Sequence, residues 1–132
     1  MNMRQYLYGG SLLILTLTAF AEDDRVIETD RELFVISYKP DLQPLAINQM
    51  HSWVVHVETP DGSPVADAAV VLVGGMPDHD HGLPTVPRST QYLGAGDYLV
   101  EGVKFHMNGR WLITISIDAG SSEDAVTFEL QL

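Results

Sequence analysis

His51-Ser52-Trp53-Val54-Val55-His56-Val57 and Trp111-Leu112-Ile113-Thr114-Ile115-Ser116-Ile117 decide the fold, because both run on a two-residue period. Successive side chains of a β-strand point to opposite faces, so in each stretch the apolar odd positions define one buried side. Trp53 and Trp111 are expected in the core. Working outward, no segment keeps apolar residues at three- and four-residue spacing, while short β-branched and aromatic runs recur between Pro, Gly, Asn and Asp clusters. The runs predict strands over 33–38, 51–58, 68–73, about 89–93, 97–104, 111–117 and 125–130. Seven short strands in one small domain are the pattern of an all-β, immunoglobulin-like antiparallel β-sandwich. Turns are expected at Pro60-Asp61-Gly62, at Gly94-Ala95-Gly96-Asp97 and at Asn108-Gly109, the last as a hairpin turn. Ala68 to Val73 is apolar on both parities, which predicts a strand covered on both sides or one that forms an interface. Leu93, Gly96 and Tyr98 together suggest a tyrosine corner, with the Tyr98 hydroxyl bonded back to the main chain.

The chain of 132 residues is one domain's worth, with 7 Lys and Arg against 18 Asp and Glu and a formal net charge of -11. Nucleic-acid affinity rests mainly on cations that neutralise phosphates, so this balance excludes that class of partner. With no cysteine there is no disulfide framework, thiolate metal site or thiol nucleophile. A soft metal would have to be held by Met and His.

Residues 1–21 read as a secretory signal peptide: Arg4, an apolar run through Leu12, Leu13, Ile14, Leu15 and Leu17, then Ala19-Phe20-Ala21 before Glu22-Asp23-Asp24. A bilayer span needs roughly 20 mostly apolar residues, and this run is short and broken by Gly9, Gly10 and Ser11. Cleavage is expected after Ala21, giving an exported protein, with a membrane tether as the outcome if the segment stays attached. Residues 22–32 are charged and expected to be a loose N-terminal segment ahead of the domain at 33–132.

One stretch is not explained by turn chemistry: Gly74-Gly75-Met76-Pro77-Asp78-His79-Asp80-His81-Gly82-Leu83-Pro84-Thr85. It places a thioether and two imidazoles within six residues, and in an extended segment His79 and His81 point the same way. Thioether and imidazole without thiolate favour Cu(I), whereas imidazole alone also suits Cu(II) or zinc. Asp78 and Asp80 could help Cu(II) or accept from imidazole N–H groups. Met50-His51 and His106-Met107 supply the same residue types at other strand ends. The candidate ligands are therefore His51, Met76, His79 and His81, grouped at one end of the sandwich, with His106 and Met107 on an adjoining hairpin. Each has a structural alternative. Met50, Met76 and Met107 could be apolar plugs, and His79 and His81 could be hydrogen-bonded braces. His56 has outward parity in mid-strand and reads as a surface histidine. There is no G-x-S-x-G elbow, and so small a sandwich offers little room for the long cleft of a glycosidase, so no enzyme is expected.

The residues Leu45 to Trp53, Pro60 to Val65, Gly74 to Thr85 and Tyr98 to Trp111 together make the chain resemble the YtkA-like family, which overlaps with FixH-like domains. The resemblance spans about residues 33–118, and its strongest element is Met76-Pro77-Asp78-His79-Asp80-His81-Gly82-Leu83-Pro84-Thr85. It implies an exported, periplasmic or membrane-tethered immunoglobulin-like sandwich in a group associated with copper handling, oxidase assembly or cation transport, and it implies no catalytic residues. Asp80 stands where the family often has Gly, and Asn108 where it often has Pro; the added charge of Asp80 bears on the metal's oxidation state. Two functions are expected from this reading: a copper-binding protein that holds or delivers the ion, or a metal-free accessory module docking on a membrane complex through the Met76 to Thr85 loop and the Ala68 to Val73 strand.

Overall fold

The computed structural model describes residues 25–132, so the predicted signal peptide lies outside the described residues. Nine strands follow in chain order: β1 (Ile27–Glu28), β2 (Val35–Pro40), β3 (His51–Glu58), β4 (Ala69–Met76), β5 (His81–Gly82), β6 (Arg88–Gly94), β7 (Asp97–Val103), β8 (Arg110–Asp118) and β9 (Glu123–Gln131). Seven are the expected strands; β1 and β5 are added two-residue pairings. All neighbours are antiparallel, in the order β1-β2-β3-β7-β6 and then β4-β8-β9, with β5 against β4. Without the two short strands this is the four-plus-three order of a constant-type immunoglobulin sandwich. β4 and β6 join the two layers where β6 begins, at the Val71–Arg88 pair and the Leu72 N–H to Pro87 carbonyl bond.

Alternation places the core as expected. Trp53, Val55 and Val57 of β3 face Trp111, Ile113, Ile115 and Ile117 of β8, all wholly or almost wholly buried. Val70, Leu72 and Met76 of β4 complete that side. The outer face of β4 is not covered: Val73 is 55% exposed, so the two-sided apolarity of this strand marks a surface and not a second core. The register of β3 against β7 slips between His51 and Trp53, and with Gly102 at a φ of 88° this turns both Val100 and Val103 inward.

The Gly94 to Asp97 turn is a hairpin, with Ala95 and Gly96 both at positive φ. Asn108-Gly109 is not. β7 and β8 lie in different layers, so residues 104–109 cross between them, and Gly109 pairs its backbone with Leu132. The Tyr98 hydroxyl donates to the Val65 carbonyl at 2.6 Å and accepts from the Ala68 N–H at 3.1 Å. It thus ties down the distant β3–β4 connection, and burial pushes the phenol above its ordinary value. The short-range corner bond belongs to Tyr92, whose hydroxyl accepts from the Gly96 N–H.

The segment before β2, expected to be loose, is held from Ile27 onward. Thr29 is buried and donates to Asp124 at 2.6 Å, and the N–H groups of Arg31 and Leu33 also point at that carboxylate. Burial works against ionisation of Asp124, but the bonds from Thr29, Ala125, Leu33 and Arg31 outweigh it and hold the carboxyl below its ordinary value. His56 does lie on the outer face, between Asp97 at 2.7 Å and Glu58 at 3.3 Å. Partial burial lowers its pKa, yet the two carboxylates raise it further, so the net displacement is upward from 6.5.

Two limbs of a pH–stability curve follow. The Asp124 contribution is complete above the unfolded carboxyl value and disappears as pH falls through the depressed folded value; Asp124→Ala should cost about 1.5–3 kcal/mol near neutrality in urea unfolding and flatten the acid limb. The His56 contribution is complete below 6.5 and fades as pH rises through the elevated folded value, and His56→Gln should remove that slope.

Candidate metal centre

β4 continues three residues beyond the predicted strand end, through Gly74 and Gly75 to Met76. The chain then turns over Pro77 to Asp80 and returns as β5, with Met76 opposite His81 and Gly75 opposite Gly82. The His79 N–H closes the turn on the Met76 carbonyl at 3.1 Å. Residues directly opposed in an antiparallel pair share a face. Met76 faces the core at 1% exposure, so His81 is turned inward as well.

The His81 ring meets His106 at 4.8 Å between centroids, His79 at 5.8 Å and Trp111 at 6.1 Å. His106 comes from the 104–109 crossing and also lies against Trp111, at 5.7 Å. The tertiary structure thus brings His81 and His106 against one buried indole, with His79 stacked on His81. The Nδ1 atoms of His81 and His106 are buried without a hydrogen-bond partner, and so is the Thr85 hydroxyl. An unsatisfied buried polar atom costs about 1–3 kcal/mol, which a ligand shared by the two rings would offset. Met76 lies beneath: a Cβ built on Gly109 would come within 2.9 Å of its terminal methyl. Its thioether is therefore packed under the end of the sandwich instead of being displayed on a loop.

His51 and Met107 are each tied to a core tryptophan. His51 is buried at the end of β3 against Phe105, and both its nitrogens are engaged. Its Nδ1 donates to the Gln49 carbonyl at 3.1 Å and its Nε2 accepts from the Trp53 indole at 3.1 Å. Through these bonds His51 braces Trp53. Met107 is half-buried against the core, and its carbonyl accepts from the Trp111 indole at 3.0 Å. Met50 is 61% exposed and plugs nothing. Asp78 and Asp80 are exposed on the turn. Among the described residues, no three His, Asp or Glu side chains converge closely enough to hold a metal ion. The donor set that remains is imidazole plus thioether. Thr85 and the flanking role of Trp111 carry no signal in the sequence, since each becomes relevant only through burial beside the histidines.

Fold and site together define a small constant-type immunoglobulin-like sandwich with a Met/His cluster at one end. The chain belongs to the YtkA-like family, whose model matches residues 34–116. No curated protein and no solved structure matches it. Among the described residues, no helix is long and apolar enough to cross a membrane.

The hairpin that aims His81 depends on close approaches at Gly74, where a Cβ would lie 2.8 Å from the Leu83 side chain, and at Gly82. A Cβ on Gly82 would lie 2.9 Å from the Gly74 carbonyl oxygen, whereas one on Gly75 meets nothing nearer than 4.0 Å. Gly82→Ala should therefore destabilise the domain by about 1–3 kcal/mol and shift the His79, His81 and His106 ring resonances in NMR spectra, while Gly75→Ala should leave both near the parent values.

Proposed function

We propose that this domain binds copper, as Cu(I), and holds or delivers it through the Met/His cluster at one end of the sandwich. The observation that carries this reading is the pair of buried, unpartnered Nδ1 atoms on the His81 and His106 rings, 4.8 Å apart between centroids. Neutral imidazole with its lone pair free is a metal ligand, and a thioether extends the choice toward a soft ion. With no cysteine in the chain and no trio of His and carboxylate donors among the described residues, the set fits Cu(I) better than zinc or Cu(II). Met76 supplies the sulfur, and His79 is the exposed outer member through which the ion enters or leaves. The copper is cargo, and no bond-making step is assigned to these residues. An exported, periplasmic setting accords with the acidic charge and the predicted signal peptide and belongs to the same proposal.

A second reading, a metal-free accessory module docking on a membrane complex, draws on the uncovered outer face of β4. The two separate in solution. Competition titration of the protein with Cu(I) should give one site, and the His81→Ala/His106→Ala double variant should lose affinity by about a hundredfold or more. His51→Gln should bind like the parent, because both ring nitrogens are already committed. A double variant that binds as the parent does refutes the copper reading.

A further inference from the structure

The outer face of the β4-β8-β9 layer forms a grid read directly from the register. Ala69, Asp118 and Glu123 form one row, Val71, Ser116 and Ala125 the next, then Val73, Thr114 and Thr127, then Gly75, Leu112 and Glu129. The β4 column is apolar, and Val86, 73% exposed, flanks it in the stretch leading to the Val71–Arg88 pair. Two depressions indent this face. One, of about 350 Å³, is lined by Gly75, Pro77, Gly82, Leu112 and Asp80 and also by Met76 and His81. The other, of about 660 Å³, lies at the far end over Ala69 and Val71, with Asp30, Asp118 and Glu123 around it. Eight residues of β4 separate the two ends, roughly 24 Å at strand rise.

The charge on this face is asymmetric. Of the nearby cations, Arg110 is paired with Glu129 at 2.8 Å, Arg31 lies among the carboxylates of the larger depression and donates to the Glu123 carbonyl, and Arg88 lies opposite Val71 in the register. Asp30, Asp118 and Glu123 outnumber Arg31 at one end of the exposed apolar strip and Asp80 stands at the other, in a chain of net charge -11. An apolar patch on a soluble domain marks an interaction surface, and its rim selects the partner. We infer that this face docks a protein partner presenting an apolar strip with Lys or Arg at both ends, spaced to reach Asp80 at one end and Asp30, Asp118 and Glu123 at the other. A second copy of this chain and an anionic lipid surface both bring like charge to the same rim, which disfavours them. The inference rests on the docking reading given above, and because Met76 and His81 also line the smaller depression it is tested on the metal-free protein.

The test uses the metal-free protein, ¹⁵N-labelled, and a synthetic peptide, Lys-Lys-Val-Thr-Val-Thr-Val-Lys-Lys. Saturable shifts should map to Val71, Val73, Val86 and Leu112, and affinity should drop at least tenfold when the peptide's valines are replaced by serine or its lysines by glutamate. Val73→Asp and Val86→Asp, both at exposed positions that leave the core intact, should each weaken binding by a similar factor. Shifts mapping elsewhere, or a serine peptide that binds equally well, overturn the proposal. So does sedimentation showing a dimer of this chain that Val73→Asp dissolves, since the strip would then be covered by a second copy.

Discussion

Trp111 is wholly buried, its N–H satisfied by the Met107 carbonyl and its ring set edgewise against Phe105, His81 and His106. This one indole joins what the sandwich needs to what the site needs. Its body fills the space between the layers where β8 begins, and its hydrogen bond fixes the crossing that carries His106. Its edge is the surface on which both inward-facing imidazoles rest. Because a large aromatic held by packing and one hydrogen bond has little freedom, the rings placed against it are positioned by the core instead of by a flexible loop.

The same economy appears at the other polar groups of the interior. Trp53 gives its N–H to His51, Tyr98 spans Val65 and Ala68, and Thr29 with Asp124 ties the N-terminal segment to β9. Each buried polar atom in these networks has a partner, as interiors require. Against that background the unpartnered imidazole nitrogens of His81 and His106, on rings in contact, and the Thr85 hydroxyl stand out as exceptions. Those unpartnered atoms are the ground of the copper proposal, in which imidazole and thioether would suit a soft metal. The uncovered β4 face is a second exception of a different kind, apolar surface left in water at the opposite side of the same strand.

The period-two runs around Trp53 and Trp111 contain the fold class and the inward parity of both strands, because alternation is a local property of the backbone. Strand positions, the Gly94 to Asp97 hairpin and the outward placement of His56 were legible for the same reason. Asn108-Gly109 misleads because turn chemistry says that the chain bends and not whether the flanking strands pair; here they join different layers. The loose N-terminal segment misleads because its charges are visible in the sequence while the carboxylate that receives Thr29 lies 95 residues away.

The candidate site divides along the same line. Residue types and their spacing single out Met76, His79 and His81 as candidate donors with His106 as a further one, since the donors' chemistry resides in the side chains themselves. Only the tertiary structure separates His51 from them, by spending both its nitrogens on Gln49 and Trp53, and only it buries Met76 beneath the cluster and sets His81 against His106. Sequence determines which atoms can donate an electron pair; whether a given pair is free depends on which distant groups packing brings within hydrogen-bond reach, and that is decided by the fold.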